Sequence, residues 1–490
     1  MLNPRFLMGD TWGFPGSAVE HIETHAAHVF LCGDRAFKIK KDVKFPYLDF
    51  STLDLRRAVL QRELEINRAF APDIYLAVTE KQGEPVLVMK RFAAEAMLSW
   101  HVDHHGIDDR LSAALAKTAA EAHWIAPPVK TAGAGIMAGL GAQLAKAFTA
   151  SPDLFPGPAA IDFQALYAAA LASLEPLLNR RGDGGLVRRC HGDMHCANIV
   201  ILQDRPVLFD AIEFSEKIAT IDVLYDLAFL IMDLLRHGQP RAANLVLNRY
   251  LHLRRAEEDL SGLRALPLFL ATRSGVRALV TADLVHELPV AERPTLSKTS
   301  RDYFNASLAF LKPAAPQLIC VGGLSGTGKS TQAATLAPAI GPPPGAIHVR
   351  SDVERKVLAG VAETQRLCPE HYTPATSRRV YEALFDRADR ALTAGRAVVI
   401  DAVFAHEGER KAAEDLALRR GVAFRGIWLE AKPETLKSRV TSRLGDASDA
   451  TTEVVDVQLG YDLGKLTWTR IDASGSPEEV QARLLKMPPG

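Results

Sequence analysis

Residues 191–198 read His191-Gly192-Asp193-Met194-His195-Cys196-Ala197-Asn198, and the larger part of the chain is organised around them. A strand-like or turn segment, residues 186–190, precedes this hydrophilic loop, and an apolar strand, Ile199–Leu202, follows it. Asp193 and Asn198 are an acid and an amide five positions apart. That pair is suited to hold an acceptor hydroxyl and to ligate one magnesium ion in a phosphoryl-transfer loop. A second strand, residues 206–209, ends in Asp210, which is placed to grip a metal on nucleotide phosphates. Cys190, His191, His195 and Cys196 also permit a zinc cluster, but only if the backbone presents them together. That alternative leaves Asp193, Asn198 and Asp210 without a task.

The stretch resembles the HGDxHxxN loop and following metal aspartate of the aminoglycoside phosphotransferase and choline kinase family. The matching positions are His191, Gly192, Asp193, His195 and Asn198. The resemblance implies a protein kinase-like fold, with Asp193 as base and Asn198 and Asp210 as metal ligands.

At 490 residues the chain is long for one domain, and two or three are the natural expectation. Lysine plus arginine and aspartate plus glutamate both number 58, so the formal charge is zero and general attraction to nucleic acid or anionic membrane is not expected. The five cysteines are scattered and odd in number, which fits reduced thiols and a cytoplasmic location better than a disulfide framework. The N-terminus lacks the basic-then-apolar pattern of a signal peptide. The longest apolar run, residues 223–235, carries Asp226 and Asp233 and is too short to span a bilayer.

Two hairpins are predicted near the start, strands 28–32 and 35–40 about Gly33-Asp34 and strands 75–78 and 85–89 about Gln82-Gly83. No GxGxxG loop is present, and Glu23-Thr24-His25 is only a candidate turn over the phosphates. Lys38 resembles the lysine of the third kinase strand, which pairs nucleotide phosphates; Lys40, on the same face, is the fallback. Between the hairpins a helix runs to about Phe70, with Ser51 as its expected cap and Asp54 at the third helical position. At 100° per residue Glu63 falls in the middle of the apolar arc of this helix, and Glu65 falls on the polar face. A carboxylate centred on a buried stripe is costly unless paired. A Lys38–Glu63 ion pair resolves it; the alternative is that Glu63 reaches solvent past a loosely packed neighbour. Further helices are predicted over residues 109–124, 163–178, 223–235, 241–253 and 267–288. Asp222 and Asp226 resemble the family's DxxYDLA segment, which implies structural support for the loop. Arg273 and Arg277, one turn apart, form either an anion-binding pair or ordinary surface charge.

The pattern changes after the proline-alanine stretch at residues 312–317. A strand at 318–321 leads into Gly322-Gly323-Leu324-Ser325-Gly326-Thr327-Gly328-Lys329-Ser330-Thr331 and then a helix. This is a full GxxxxGK[ST] Walker A loop in its strand–loop–helix setting. Its glycines let backbone N–H groups wrap phosphates, Lys329 reaches the terminal phosphates and Ser330 ligates magnesium. Strands at 346–349, 397–400, 424–429 and 467–471 alternate with helices, including 407–420, 433–444 and one from Pro477, as in a doubly wound parallel sheet. Asp352 follows the second strand, in position to orient an acceptor hydroxyl, and Asp401 closes the third, where a magnesium-holding acid belongs. Arg439 and Arg443, four apart, resemble the lid arginines of small P-loop kinases, which steady the transferring phosphoryl.

The expectation is a two-domain chain. Residues 1–312 form an α+β protein kinase-like domain, with a small β-rich lobe and a helical lobe; residues 313–317 form a linker. Residues 318–490 form an α/β P-loop kinase domain with a doubly wound parallel sheet. The whole resembles bacterial fusions of an aminoglycoside phosphotransferase-like domain with a P-loop kinase-like ATP-binding domain, the second half being similar to the zeta-toxin, gluconate kinase and polynucleotide kinase group. The resemblance implies two ATP-Mg²⁺ sites and small-molecule hydroxyl acceptors. Acidic and basic residues are mixed across 254–277, which does not favour a polycationic aminoglycoside. Two other readings stay open: a P-loop switch that regulates a single kinase, and a nucleotide-binding scaffold without catalysis.

Overall fold

The computed structural model describes residues 3–24, 26–45, 48–442 and 447–486. Its contacts divide it into two compact units, residues 1–140 with 175–242 and residues 141–174 with 243–490. The division does not coincide with the proline-alanine linker, because segments on its N-terminal side group with the P-loop sheet.

In the first unit, tight turns set the register of a five-stranded antiparallel sheet. Its order is Glu20–Glu23, Ala27–Cys32, Arg35–Lys40, Glu84–Lys90, Tyr75–Lys81. Gln82 and Gly83 both take positive φ, 53° and 80°, the type I′ geometry whose twist matches the flanking strands. Lys38 pairs with Val29 on one side and Leu87 on the other, which fixes it on an interior strand. Lys40 lies two residues further along, on the same face.

The helix Leu53–Phe70 packs against this sheet. Its cap is Thr52, whose side chain accepts from the Leu55 N–H at 3.2 Å, and not Ser51. The Ser51 hydroxyl instead donates to Asp49 Oδ1 at 2.5 Å, so it is already occupied one residue before the helix can use it. Leu53 and Leu55, in the first turn, are exposed, although their apolar side chains and helical phase place them beside the buried arc. The buried stripe runs Arg56, Leu60, Glu63, Asn67, at the i, i+4, i+7, i+11 spacing of a single helix face. Its polar members all have partners, as burial requires.

The remainder of the unit supports the loop at residues 191–198. The short strand Val187–Arg189 pairs with Thr220–Asp222, and the hairpin Ile199–Leu202/Arg205–Leu208 turns on Gln203 and Asp204, both at positive φ. The helix Val223–Arg236 is buried along nearly its whole length, with Asp222 as its cap. Among the described residues no helix is long and apolar enough to cross a membrane.

In the second unit, residues 317–472 build a five-stranded parallel sheet ordered Ile347–Arg350, Val398–Asp401, Gln317–Gly323, Ala423–Glu430, Thr469–Asp472. The chain starts in the centre, crosses to the edge at Ile347–Arg350, returns through Val398–Asp401 and then builds to the other edge, a doubly wound pattern as read from the sequence. Ile319, Val321, Val399, Ile427 and Leu429 fill the core against Leu336 and Leu484. The register sets Val321 beside Asp401 and Asp401 beside Arg350, gathering the carboxyl ends of three strands. A helix at Thr452–Leu459 is additional to those predicted. The helices Leu266–Glu287 and Arg293–Leu311 are tied by the hydroxyls of Ser274, Ser300 and Ser307, each donating to a backbone carbonyl of the other helix. Arg273 is buried and Arg277 lies over the Tyr303 ring, so the two do not form an open surface pair.

Candidate active sites

In the first unit, two lysines two positions apart on a strand meet the one carboxylate on the buried helical stripe. Lys38 Nζ lies 2.7 Å from Glu63 Oε1, and Lys40 Nζ lies 2.8 Å from Glu63 Oε2. Glu63 is fully buried. Burial pushes its carboxyl up, but the charges of Lys38 and Lys40 more than reverse this and hold it at about 2. Lys38 also reaches Asp210 Oδ1 at 3.0 Å, and Lys40 reaches Glu213 Oε1 at 2.7 Å. Burial favours a neutral Lys38, whereas Asp210 and Glu63 raise its pKa and keep it charged.

Asp210 adopts φ 60°, a left-handed backbone that a residue with a side chain holds only when its surroundings impose it. Those surroundings are specific. The Asp210 N–H donates to the Tyr75 hydroxyl at 2.9 Å. The Asn67 amide accepts from the Ala211 N–H at 2.7 Å and donates to the Ala211 carbonyl at 3.3 Å. Neither Asn67 nor Tyr75 was singled out in the sequence. The signal for Asn67 is its place four residues beyond Glu63, on the same stripe.

The loop at 191–198 is tied to the same segment through its backbone. Phe209 N–H donates to the Asn198 carbonyl at 3.1 Å, and Ile212 N–H donates to the His191 carbonyl at 3.0 Å. His191 Nε2 lies 3.0 Å from the Phe209 carbonyl, while its Nδ1 accepts from the Asp193 N–H at 3.3 Å. That bonding assigns a neutral ring with its proton on Nε2, in keeping with burial that lowers its pKa. Asp226 accepts from the His191 N–H at 3.2 Å and the Gly192 N–H at 3.0 Å, the supporting place read for it. Asn198 Nδ2 donates to Asp193 Oδ2 at 2.7 Å, so the acid and the amide stand side by side. The zinc alternative is not what the fold assembles: among the described residues Cys190 groups with His123 and Asp226, and Cys196 with Asp233 and His237.

In the second unit, the glycines of residues 323–328 are required by positive φ, and at Gly323 and Gly326 also by close packing. Gly323, Gly326 and Gly328 have φ of 138°, 85° and 86°. A Cβ on Gly323 would meet the Leu429 carbonyl at 2.5 Å, and one on Gly326 the Leu436 carbonyl at 2.5 Å. The loop therefore wraps tightly and delivers its N–H groups to the start of the helix Lys329–Leu336. Lys329 Nζ donates to the Leu324 carbonyl at 3.0 Å, and Thr327 Oγ1 to the same oxygen at 2.8 Å. The Ser325 N–H donates to Gln458 Oε1 at 2.7 Å. Ser330 faces a cavity of about 440 Å³, and Thr331 is exposed.

Asp352 and Asp401 line that cavity together with the loop. Burial, and then the charge of Asp401, raise the Asp352 carboxyl above its ordinary range. Burial acts on Asp401 in the same direction, but the His348 imidazole and Arg350 guanidinium outweigh it and hold Asp401 at about 2. Two neighbouring carboxyls with pKa values pushed apart are a mark of a functional site. Arg355, Tyr372, Tyr381 and Glu409 also line the cavity, none of them singled out in the sequence. Arg355 stacks on the Tyr372 ring at 4.9 Å, and burial raises the Glu409 carboxyl.

Arg439 does not line the cavity. Its guanidinium donates to the carbonyls of Ala473 at 2.8 Å and Gly475 at 2.6 Å. Arg443 lies outside the described residues, as does His25.

The donor sets suit the groups that kinases use. Asp210, Asn198, Ser330 and Asp401 offer the hard oxygen ligands that magnesium takes. At Gly323 and Gly326 the glycine cradle of the second site excludes any side chain, which brings its backbone close to whatever it holds.

Residues 55–266 match the phosphotransferase enzyme family, and residues 318–461 match the AAA domain family. An uncharacterized protein of Mycobacterium tuberculosis (strain ATCC 25618 / H37Rv) is 27% identical over 470 residues, covering 93% of this chain and 92% of its own. Similar solved structures include a choline/ethanolamine kinase family protein from Mesorhizobium loti, at 16% identity and a TM-score of 0.38, covering 60% of this chain and 92% of that one. Another is the Mycobacterium tuberculosis APS kinase in complex with AMPPNP and APS, at 18% identity and a TM-score of 0.26, covering 36% of this chain and 97% of that one. The two matches divide the chain into a phosphotransferase-family stretch at residues 55–266 and a P-loop stretch at residues 318–461, and together they support a phosphotransfer function.

Proposed function

We propose that the chain is an ATP-dependent phosphotransferase with two Mg²⁺-ATP sites, each passing a γ-phosphoryl group to a hydroxyl of a small molecule. The observation that carries the reading is Lys38, which touches both Glu63 and Asp210, beside a loop that sets Asp193 against Asn198. One ammonium steadied by two carboxylates meets nucleotide phosphates, and Asp193 accepts the proton of the acceptor hydroxyl. Asn198 and Asp210 are the metal ligands of this first site. The metal supplies charge neutralisation on the phosphates when bound.

In the second site Gly323, Ser325, Gly326, Thr327 and Gly328 shape the phosphate cradle, with Lys329, Ser330 and Thr331 at the helix start. Ser330 and Asp401 hold the metal, and Asp352 orients the acceptor. A lining of tyrosines and carboxylates suits an uncharged, hydroxyl-rich acceptor better than an anionic one, because the carboxylates accept from hydroxyls but repel anions. We place the protein in the cytoplasm, where ATP is made and where its scattered cysteines stay reduced. The test is a phosphate-transfer screen of the full chain with Mg²⁺-ATP against neutral, cationic and anionic hydroxyl compounds. ADP formation that depends on an added hydroxyl compound supports the reading; hydrolysis indifferent to every compound opposes it.

A further inference from the structure

The strand Ile347–Arg350 is an edge of the parallel sheet, and its exposed backbone is met by side chains from a helix far earlier in the chain. Asn248 Oδ1 accepts from the His348 N–H at 2.8 Å, and Asn248 Nδ2 donates to the Ala346 carbonyl at 3.2 Å. One side-chain amide thus takes the place of a neighbouring strand. Asn244 Nδ2 adds a second donor to the Ala346 carbonyl, at 3.0 Å. Both asparagines lie on the helix Pro240–Arg254, inside the stretch matched to the phosphotransferase family, whereas the strand lies inside the stretch matched to the AAA domain.

The same helix sends charge further in. Arg249 Nη1 pairs with Glu363 Oε2, and Arg350 Nη1 lies 3.6 Å from the other oxygen, Oε1. Arg350 Nε lies 3.6 Å from Asp401 Oδ2, with His348 Nε2 at 3.8 Å from that oxygen. Just past the helix, Arg255 holds Glu354 through both carboxylate oxygens at 3.0 Å, and Glu354 sits on the helix that carries Asp352. Arg255 does so from φ 51°, a left-handed backbone unfavourable for arginine.

We infer that Arg249 is a positioning residue of the P-loop site, holding Asp401 in place through Glu363 and Arg350. Arg350 stands between two carboxylates, Glu363 and Asp401. While Arg249 satisfies Glu363, Arg350 stays shared with Asp401. Without Arg249, Glu363 draws Arg350 to itself, and the buried Asp401 loses one of the two side chains, Arg350 and His348, that hold it. The inference rests on the proposed metal role of Asp401.

The test uses the full chain carrying Lys38→Ala, so that a fluorescent ATP analogue reports on the second site, with binding followed as Mg²⁺ is titrated. Arg249→Ala is expected to raise the half-saturating Mg²⁺ about tenfold, the usual effect of removing an outer partner of a metal ligand. Arg249→Lys restores most of the loss, and the exposed Arg264→Ala leaves the titration unchanged. A general loosening of the fold would weaken metal-free nucleotide binding by the same factor, and that result overturns the inference. So does an unchanged Mg²⁺ dependence in Arg249→Ala. Asp401→Asn separates the two levels. If it shifts the titration and Arg249→Ala does not, only the relay is wrong; if Asp401→Asn has no effect, the metal role falls and the relay with it.

Discussion

Replacing Glu63 by glutamine keeps the shape of the side chain and removes the charge that two lysines share. The folded carboxyl sits at about 2 against an ordinary 4.5. The two ammonium groups therefore favour the charged carboxyl strongly enough to overcome its burial. Removing one partner of a buried ion pair costs roughly 3–5 kcal/mol, and Glu63→Gln should lower stability on that order. The sign follows from the lowered folded pKa: the contribution is complete above pH 4.5 and disappears as pH falls toward 2. Lys38 would keep only Asp210, at 3.0 Å, and would settle on that metal ligand instead of facing phosphates. A displacement of about 1 Å at such a group costs about a hundredfold in turnover. The assay is urea unfolding together with first-site ADP formation, for wild type, Glu63→Gln and Glu65→Gln. Glu65 is exposed and lies 3.4 Å from Arg62, a pair of the kind that contributes little. If the two substitutions behave alike in both measurements, the buried triad is not what organises the site.

Three further outcomes are expected. Asn67→Ala leaves the Ala211 N–H and carbonyl without their partner, costing about 1–3 kcal/mol, and lowers first-site turnover; unchanged kinetics would show that Asp210 holds its left-handed backbone unaided. Because burial and Asp401 raise the Asp352 carboxyl, second-site turnover should fall on acidification through a midpoint above the ordinary aspartate value of 3.8. Asp352→Asn should remove that limb and the turnover while nucleotide still binds; a limb at or below 3.8, or one surviving the substitution, contradicts the assignment. Arg439→Ala should lower the unfolding temperature, since its donors hold the backbone of residues 473–475, whereas a lid role predicts lost turnover at unchanged stability.

The parts of both sites that were legible in the sequence are those in which neighbours along the chain act together. The 191–198 loop and the 322–330 loop each carry their own turn chemistry, so type and spacing were enough. Helical phase singled out Glu63 because a carboxylate on an apolar stripe needs a partner. What stayed hidden are contacts across long separations. Asn67 and Ala211 are 144 residues apart, and Gln458 and Ser325 are 133 apart. No periodicity links such positions. The cap at Thr52 was misassigned by one residue because Ser51 and Thr52 offer the same hydroxyl chemistry, and only the competing Asp49 decides between them. Arg439 has lid-like spacing, yet neighbouring carbonyls occupy its guanidinium. Spacing alone does not record that.

The central claim is that the chain holds two separate phosphotransfer centres. Its most direct test is transfer of labelled γ-phosphate from Mg²⁺-ATP to the hydroxyl compounds identified by screening, for wild type, Asp193→Asn, Lys329→Ala and the double variant. Asp193→Asn should lower one set of products by about a hundredfold or more, while Lys38 and Asp210 still bind nucleotide. Lys329→Ala should abolish the other set, and the double variant should show both losses independently. If Lys329→Ala also silences the Asp193-dependent products, the P-loop domain is a switch acting on a single kinase. If Asp193→Asn leaves every product intact, the 191–198 loop is not catalytic and the account is contradicted.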